Sequence, residues 1–189
     1  MKHSIIRLGR SALVVTLGLS ALQAAGAQGT TSTACTATPA AAEGPYYKAG
    51  APERSDLAAT TKGGTPFTLS GKVLDTNCKP IANAVVDFWQ ADASGNYDNA
   101  GFALRGKVRT DANGTYRVLT VLPGLYPGRT AHIHVKVTPP GGATLTTQLY
   151  IPNTAANAGD RIYDARTLVK DYALSGGKAN ASFDFVLRR

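Results

Sequence analysis

From residue 67 onward the chain is interrupted at short intervals by Gly, Pro, Asn and Asp, and between these interruptions apolar residues recur at every second position. That punctuation leaves no room for a long amphipathic helix. A period of two sends successive side chains to opposite faces of a strand, so each segment offers one apolar face for burial. Segments 67–74, 84–89, 104–109, 116–121, 132–138, 144–151 and 181–187 read as strands. Residues 75–80 read as a turn, while Asp111-Ala112-Asn113-Gly114 and Pro139-Pro140-Gly141-Gly142 read as the turns of two hairpins. Residues 167–174 read as a short helical turn. The expectation is an all-β fold: a single sandwich domain of mostly antiparallel strands over residues 43–189.

Two segments precede that domain. Lys2, Arg7 and Arg10 form a basic start, residues 12–22 a short apolar run, and Ala25-Gly26-Ala27 a small-residue cleavage site. This pattern predicts a signal peptide over 1–27, too short for a membrane span, and hence an exported protein with no membrane anchor after cleavage. Residues 28–42, rich in Thr and Ala without periodicity, read as a flexible arm. The leader holds three basic residues and no acidic one, so its removal lowers the formal charge from +8 to +5. The remaining basic residues are scattered, with no aromatic-basic stripe, which argues against nucleic-acid binding. Cys35 and Cys78 are the two cysteines. In an oxidising compartment they can pair and tie the arm to the first hairpin; two free thiols are the other reading.

The chemistry-bearing residues crowd into one stretch. Of the three histidines, His3 lies in the leader, while His132 and His134 alternate with Ile133 and Val135 on a single strand. Their side chains therefore share one face. Such a pair is half of a metal site or simply two histidines on a polar face. Zinc would ask for a further His, Cys or carboxylate, and a ferrous oxygenase for a carboxylate. No Asp or Glu is close in sequence. Two tyrosines are: Tyr126, between Leu125 and Pro127 before the His strand, and Tyr97, where a strand runs out into a loop. Phenols are poor ligands for divalent ions but good ones for a hard trivalent cation, whose charge stabilises the phenolate. Taken singly, Tyr97 is also an ordinary hairpin-edge aromatic and Tyr126 a loop residue packed on prolines.

Four ordered motifs join these residues: Trp89-Gln90-Ala91-Asp92 with Gly95-Asn96-Tyr97, then Pro123-Gly124-Leu125-Tyr126-Pro127, Arg129-Thr130-Ala131-His132-Ile133-His134 and Leu145-Thr146-Thr147-Gln148-Leu149-Tyr150. Together they resemble the core of the intradiol ring-cleavage dioxygenases, the family of protocatechuate 3,4-dioxygenase and catechol 1,2-dioxygenase. Glu43-Gly44-Pro45-Tyr46-Tyr47 followed by Gly50-Ala51-Pro52 is similar to that family's entry to the core. The resemblance implies Fe(III) held by Tyr97, Tyr126, His132 and His134, and no organic cofactor. It implies a catechol-type substrate and O2 as partners, with the ring opened between its hydroxyl-bearing carbons to a cis,cis-muconate-type product. Tyr126 matches the tyrosine that leaves the metal as substrate binds and takes up a proton; Tyr97 matches the one that stays. Arg129 matches a catalytic arginine beside the reacting ring, and Gln148 a glutamine lining the substrate pocket from the adjacent strand.

Two departures stand out. Only Pro127 and Gly128 separate Tyr126 from Arg129, where the well-known members carry a longer loop, and Thr130 stands where many have Pro. The short loop implies a more open pocket. A homo-oligomer stays open. Two other functions compete: a non-catalytic β-sandwich binding module, and an exported zinc or copper protein built on His132 and His134.

Overall fold

The structure is a computed structural model that describes Met1 and residues 34–152 and 155–188. The signal peptide expected over 1–27 and residues 28–33 of the arm lie outside the described residues. Among the described residues nine strands follow one another: β1 Pro66–Asp75, β2 Val85–Gln90, β3 Arg105–Arg109, β4 Thr115–Val121, β5 His132–Thr138, β6 Leu145–Tyr150, β7 Lys170–Ser175, β8 Lys178–Ser182 and β9 Phe185–Leu187. Two short 3-10 turns, Ala155–Gly159 and Ala165–Thr167, lie between β6 and β7. One sheet has the order β3-β2-β5-β6, all antiparallel. The other has the order β4-β1-β8-β7, with β9 pairing β1; β1 runs parallel to β8 and β9 and antiparallel to β4. The expected all-β sandwich is the fold of the chain.

The core lies between the sheets. Phe67, Leu69, Val73, Tyr116 and Val118 come from one; Val86, Phe88, Ile133, Val135, Val137 and Leu149 come from the other. All are at the inward positions of the period-two pattern, and each fully buried apolar side chain contributes about 1.5–3 kcal/mol. Because Ile133, Val135 and Val137 point inward, His132, His134 and Lys136 point outward.

Four expectations need correction. The turn Asp111–Gly114 does not close a hairpin: β3 and β4 belong to different sheets, so this turn crosses the sandwich. Residues 75–80 do form the expected turn, with Leu74 bridging Pro80 across it, but β1 and β2 lie in opposite sheets, so no hairpin joins those strands. Residues 167–174 are not a helical turn. The 3-10 turn ends at Thr167, after an N-cap in which Asp164 accepts from the Arg166 amide, and β7 begins at Lys170. β7 is a mostly exposed edge strand, so it carries no hydrophobic alternation to read. Its true signal is Gly176-Gly177, whose φ angles of 56° and 72° make the two-residue loop that joins β7 to β8. Finally, 181–187 is two strands. A Cβ on Gly71 would lie 1.9 Å from the Phe183 carbonyl oxygen, and at this close crossing the pairing breaks. The Asp184 carboxylate accepts from the Lys72 amide and the Tyr116 hydroxyl donates to the Phe183 carbonyl, so the break leaves those groups satisfied.

Residues 34–42 have no regular structure but lie along the sandwich. Thr38 exchanges hydrogen bonds with Val186, Ala41 donates to Thr146, and Cys35 donates to Thr76. Cys35 and Cys78 form a disulfide, with Cα atoms 5.3 Å apart.

Candidate active site

The registers of β3-β2-β5-β6 lay out the site. Trp89 pairs with Arg105 on one side and His134 on the other, and His134 pairs with Gln148. One lateral row on the outer face therefore reads Arg105, Trp89, His134, Gln148, and the neighbouring row sets His132 opposite Tyr150. The Trp89 and His134 rings stack, 4.9 Å between centroids. Both histidines are nonetheless buried. Gly44 presses on the imidazole: a Cβ there would sit 3.2 Å from His134 Cε1.

The histidines converge. The Nε2 atoms of His132 and His134 are 3.1 Å apart. His132 Nδ1 is 2.6 Å from the Thr130 carbonyl, which can only accept, so this nitrogen carries the proton and Nε2 presents its lone pair. Burial pushes the His132 pKa down to about 4, and burial with the neighbouring His132 holds His134 well below its ordinary value. Both rings are neutral near pH 7, the state a metal requires.

Phenols complete the set. The Tyr97 ring centroid is 6.2 Å from that of His134, the Tyr126 centroid 6.1 Å from that of His132, and the two tyrosines are 6.1 Å apart. Tyr46 stacks on Tyr97 at 4.2 Å and meets Tyr126 edge-on at 5.8 Å. The Tyr97 hydroxyl is buried without a hydrogen-bond partner. Burial and the nearby Tyr126 raise its pKa well above that of a free phenol, so only a strong cation would displace its proton.

Two glycines bring the tyrosine loops together. A Cβ on Gly95, at φ 85°, would lie 2.0 Å from the Leu125 carbonyl oxygen; one on Gly124 would lie 2.4 Å from the Ala93 carbonyl oxygen. Asp92 folds the first loop by accepting from the Ser94 and Asn96 amides, and its carbonyl accepts from Gly124. Tyr126 itself is on the turn before Arg129, whose amide donates to the Tyr126 carbonyl.

The Arg129 guanidinium donates from Nε to Asp160 Oδ2 at 2.9 Å and from Nη2 to Gln148 Oε1 at 2.5 Å. Gln148 in turn donates to the Ala42 carbonyl. Burial opposes the Arg129 charge, but Asp160 outweighs it and raises the pKa. The same Asp160 oxygen accepts from the Thr130 amide, the residue whose carbonyl orients His132, while Oδ1 accepts from Ile162. These bonds and Arg129 overcome burial and hold the Asp160 carboxyl below its ordinary range. An open cleft of about 500 Å³ lies beside the set, lined by Leu125, Tyr126, Arg129, Ala156, Gly159 and Asp160.

All six residues singled out from the sequence, Tyr97, Tyr126, Arg129, His132, His134 and Gln148, come together here. Sequence reasoning missed Asp160, Tyr46 and Trp89 as parts of the site. Trp89 was inside a quoted motif and its place follows from the strand register. Asp160 sits in an irregular segment and carries no local signal. Among the described residues no group of three or more His, Cys, Asp or Glu side chains converges, so an ordinary zinc set is not assembled there.

The geometry agrees with comparisons to known proteins. A family model described as "Dioxygenase" matches residues 42–189. The chain is 34% identical over 159 residues to a catechol 1,2-dioxygenase of Acinetobacter baylyi, covering 69% of this chain and 51% of that protein. It is 33% identical over 153 residues to a protocatechuate 3,4-dioxygenase beta chain of Burkholderia cepacia, covering 66% and 65%. Among solved structures, the dioxygenase domain of a dioxygenase–carbohydrate-binding protein fusion from Streptomyces sp. SirexAA-E is 45% identical with a TM-score of 0.78, over 81% of this chain and 99% of that one. The chain spans about half the length of the first of these relatives. With the family match running the length of the sandwich and the two tyrosine and two histidine rings gathered in one cluster, the chain belongs to the intradiol ring-cleavage dioxygenase family.

Proposed function

We propose that the protein is an exported Fe(III) dioxygenase that opens a catechol-type ring between its two hydroxyl-bearing carbons with O2, giving a cis,cis-muconate-type product. The observation that carries this reading is the buried, partnerless Tyr97 hydroxyl, on a ring 6.2 Å from that of His134, whose Nε2 faces that of His132 at 3.1 Å. Two phenols and two neutral imidazoles suit a hard trivalent ion, and Tyr97, Tyr126, His132 and His134 would hold it. When bound, Fe(III) would stabilise phenolate and catecholate and draw electron density from the ring.

The protein's own groups then divide the remaining tasks. Tyr97, stacked on Tyr46, has little freedom and stays in place. Tyr126 rides on a turn with exposed neighbours and open space around Gly128, so it can swing away and carry a substrate proton on its oxygen. Arg129, fixed by Asp160 and Gln148, holds a positive charge at the cleft where negative charge develops on the ring. Leu125, 56% exposed at the lining of the cleft, favours catechols bearing a bulky substituent. The similar dioxygenase domain comes from a cellulolytic bacterium, which supports ring substrates released from plant polymers. A disulfide is at home in an oxidising compartment, which supports export.

Turnover of catechol under 18O2 tests the reaction. Both labelled atoms in one ring-opened dicarboxylate are expected; incorporation of a single atom, or no ring opening by the iron-loaded protein, refutes it. A higher kcat/KM for simple catechol than for bulky polymer-derived catechols would refute the substrate reading alone.

A further inference from the structure

Arg105 is among the most deeply buried side chains of the molecule, 1% exposed, and among the described residues no carboxylate lies within ion-pair distance of it. Asp98 and Asp87 act on its charge only from beyond that distance, and a buried cation without a close counter-charge is costly, so this residue needs a reason. Its hydrogen bonds go to main chain: Nη1 donates to the Tyr46 carbonyl at 2.6 Å, and Nε and Nη2 to the Asp98 carbonyl at 3.2 and 3.0 Å. Tyr46 carries the ring that stacks on Tyr97, and Asp98 is the residue after Tyr97. The guanidinium thus grips both segments of the stacked pair, with Cζ 5.9 Å from the Tyr97 ring centroid.

The residues around Arg105 are built to aim it. Leu104, just before β3, takes a left-handed φ of 53°, a strained choice for a bulky residue that is retained where the surroundings enforce it. The Arg105 carbonyl accepts from Nε and Nη2 of Arg54, at 3.0 and 2.8 Å, which fixes the start of the strand. Arg105 then ends the row that runs through Trp89 and His134 to Gln148.

We infer that Arg105 is a positioning residue for Tyr97: its fork fixes the loop that bears the phenol, and its charge balances the phenolate in a buried site. This rests on Tyr97 being an iron ligand. A metal's outer partners of this kind typically carry about 10–100-fold in metal affinity.

The test compares Arg105→Gln, which removes the charge, with Arg105→Lys, which keeps the charge but loses the fork, both as the full mature chain loaded with ferric iron. Arg109→Gln, an exposed arginine of the same strand paired with Glu53, is the control. Removing positive charge beside a phenolate raises its donor level, so the phenolate-to-iron band of Arg105→Gln should move to longer wavelength. Its iron should be held about 10–100-fold less tightly. Arg105→Lys should keep the band position of the unsubstituted protein and lose about tenfold in iron retention, and Arg109→Gln should change neither. A folded Arg105→Gln protein with unchanged band and unchanged iron retention overturns the assignment. So do equal losses in the two variants with no band shift, because packing alone would then explain them. If Arg105→Gln does not fold, Arg105→Lys decides, and unchanged iron retention in it overturns the proposal. An unsubstituted protein that binds iron without a phenolate band would instead bring down the Tyr97 ligand reading itself, and this proposal with it.

Discussion

At the scale of single residues, the site depends on a few atoms with no alternative partner. His132 is fixed by the Thr130 carbonyl and cannot be replaced by a neighbour, so His132→Ala should lose iron; full iron content in that variant would break the ligand assignment. Tyr126→Phe should keep iron and slow the step in which substrate gives up a proton, visible as a fall in kcat at unchanged metal content. Asp160 has two duties, anchoring Arg129 and the Thr130 amide. Asp160→Asn should therefore cost roughly 1.5–3 kcal/mol of stability, the range for hydrogen bonds to a charged group, and lower kcat while iron stays bound. The pH dependence has a definite sign. Because the Asp160 carboxyl is held below its ordinary range, its contribution is complete above the unfolded carboxylate pKa and disappears as pH falls through the lower native value. Acid unfolding below about pH 4 should be less steep in Asp160→Asn; an acid limb identical to that of the unsubstituted protein would contradict this. Such residues show how far sequence reading reaches. His132 and His134 were legible because strand alternation is local, and Tyr97 and Tyr126 because motifs flank them. Asp160 was not, since its partners lie 30 and 31 residues away and only the folded loop unites them.

At the scale of elements, the site is a consequence of register. Shifting β5 by one residue against β2 would turn His132 and His134 into the core and Ile133 out of it. Phe88, fully buried beneath the site strands, helps hold that register. Phe88→Ala should cost about 3–5 kcal/mol and release iron on the same thermal transition. The hairpin of β7 and β8 belongs to the opposite sheet. Gly177→Ala, at φ 72°, should cost about 1–2 kcal/mol and leave the iron spectrum unchanged. The same contrast separates what the pattern displayed from what it hid. Strands with one buried face announced themselves, whereas β7, exposed on nearly every residue, gave only its glycine turn. The sheet to which each strand belongs was not readable either. A tight turn such as Asp111–Gly114 looks the same whether it closes a hairpin or crosses the sandwich.

At the scale of the whole molecule, the N-terminal arm binds the two sheets and borders the site, where the Ala42 carbonyl accepts from Gln148. The disulfide closes a loop with a sequence separation of 43 residues, worth about 4 kcal/mol in the chain-entropy view. Reduction should lower the Tm by about 10 °C without altering ligand geometry, since Cys78 sits in the turn after β1, on the sheet away from the histidines. An unchanged Tm after complete reduction would mean the arm is held by its hydrogen bonds alone.

The central claim is that two phenols and two imidazoles hold a ferric ion that receives a catechol. The most direct test is the visible absorption spectrum, with iron content, of the purified mature protein before and after catechol is added without oxygen. About one iron per chain is predicted, with a broad phenolate-to-iron band that shifts to longer wavelength with catechol, weakens in Tyr97→Phe and is lost when Tyr97 and Tyr126 are both replaced by Phe. A protein that stays colourless when supplied with ferric iron, or a band that is undiminished in Tyr97→Phe and ignores catechol, would contradict the claim.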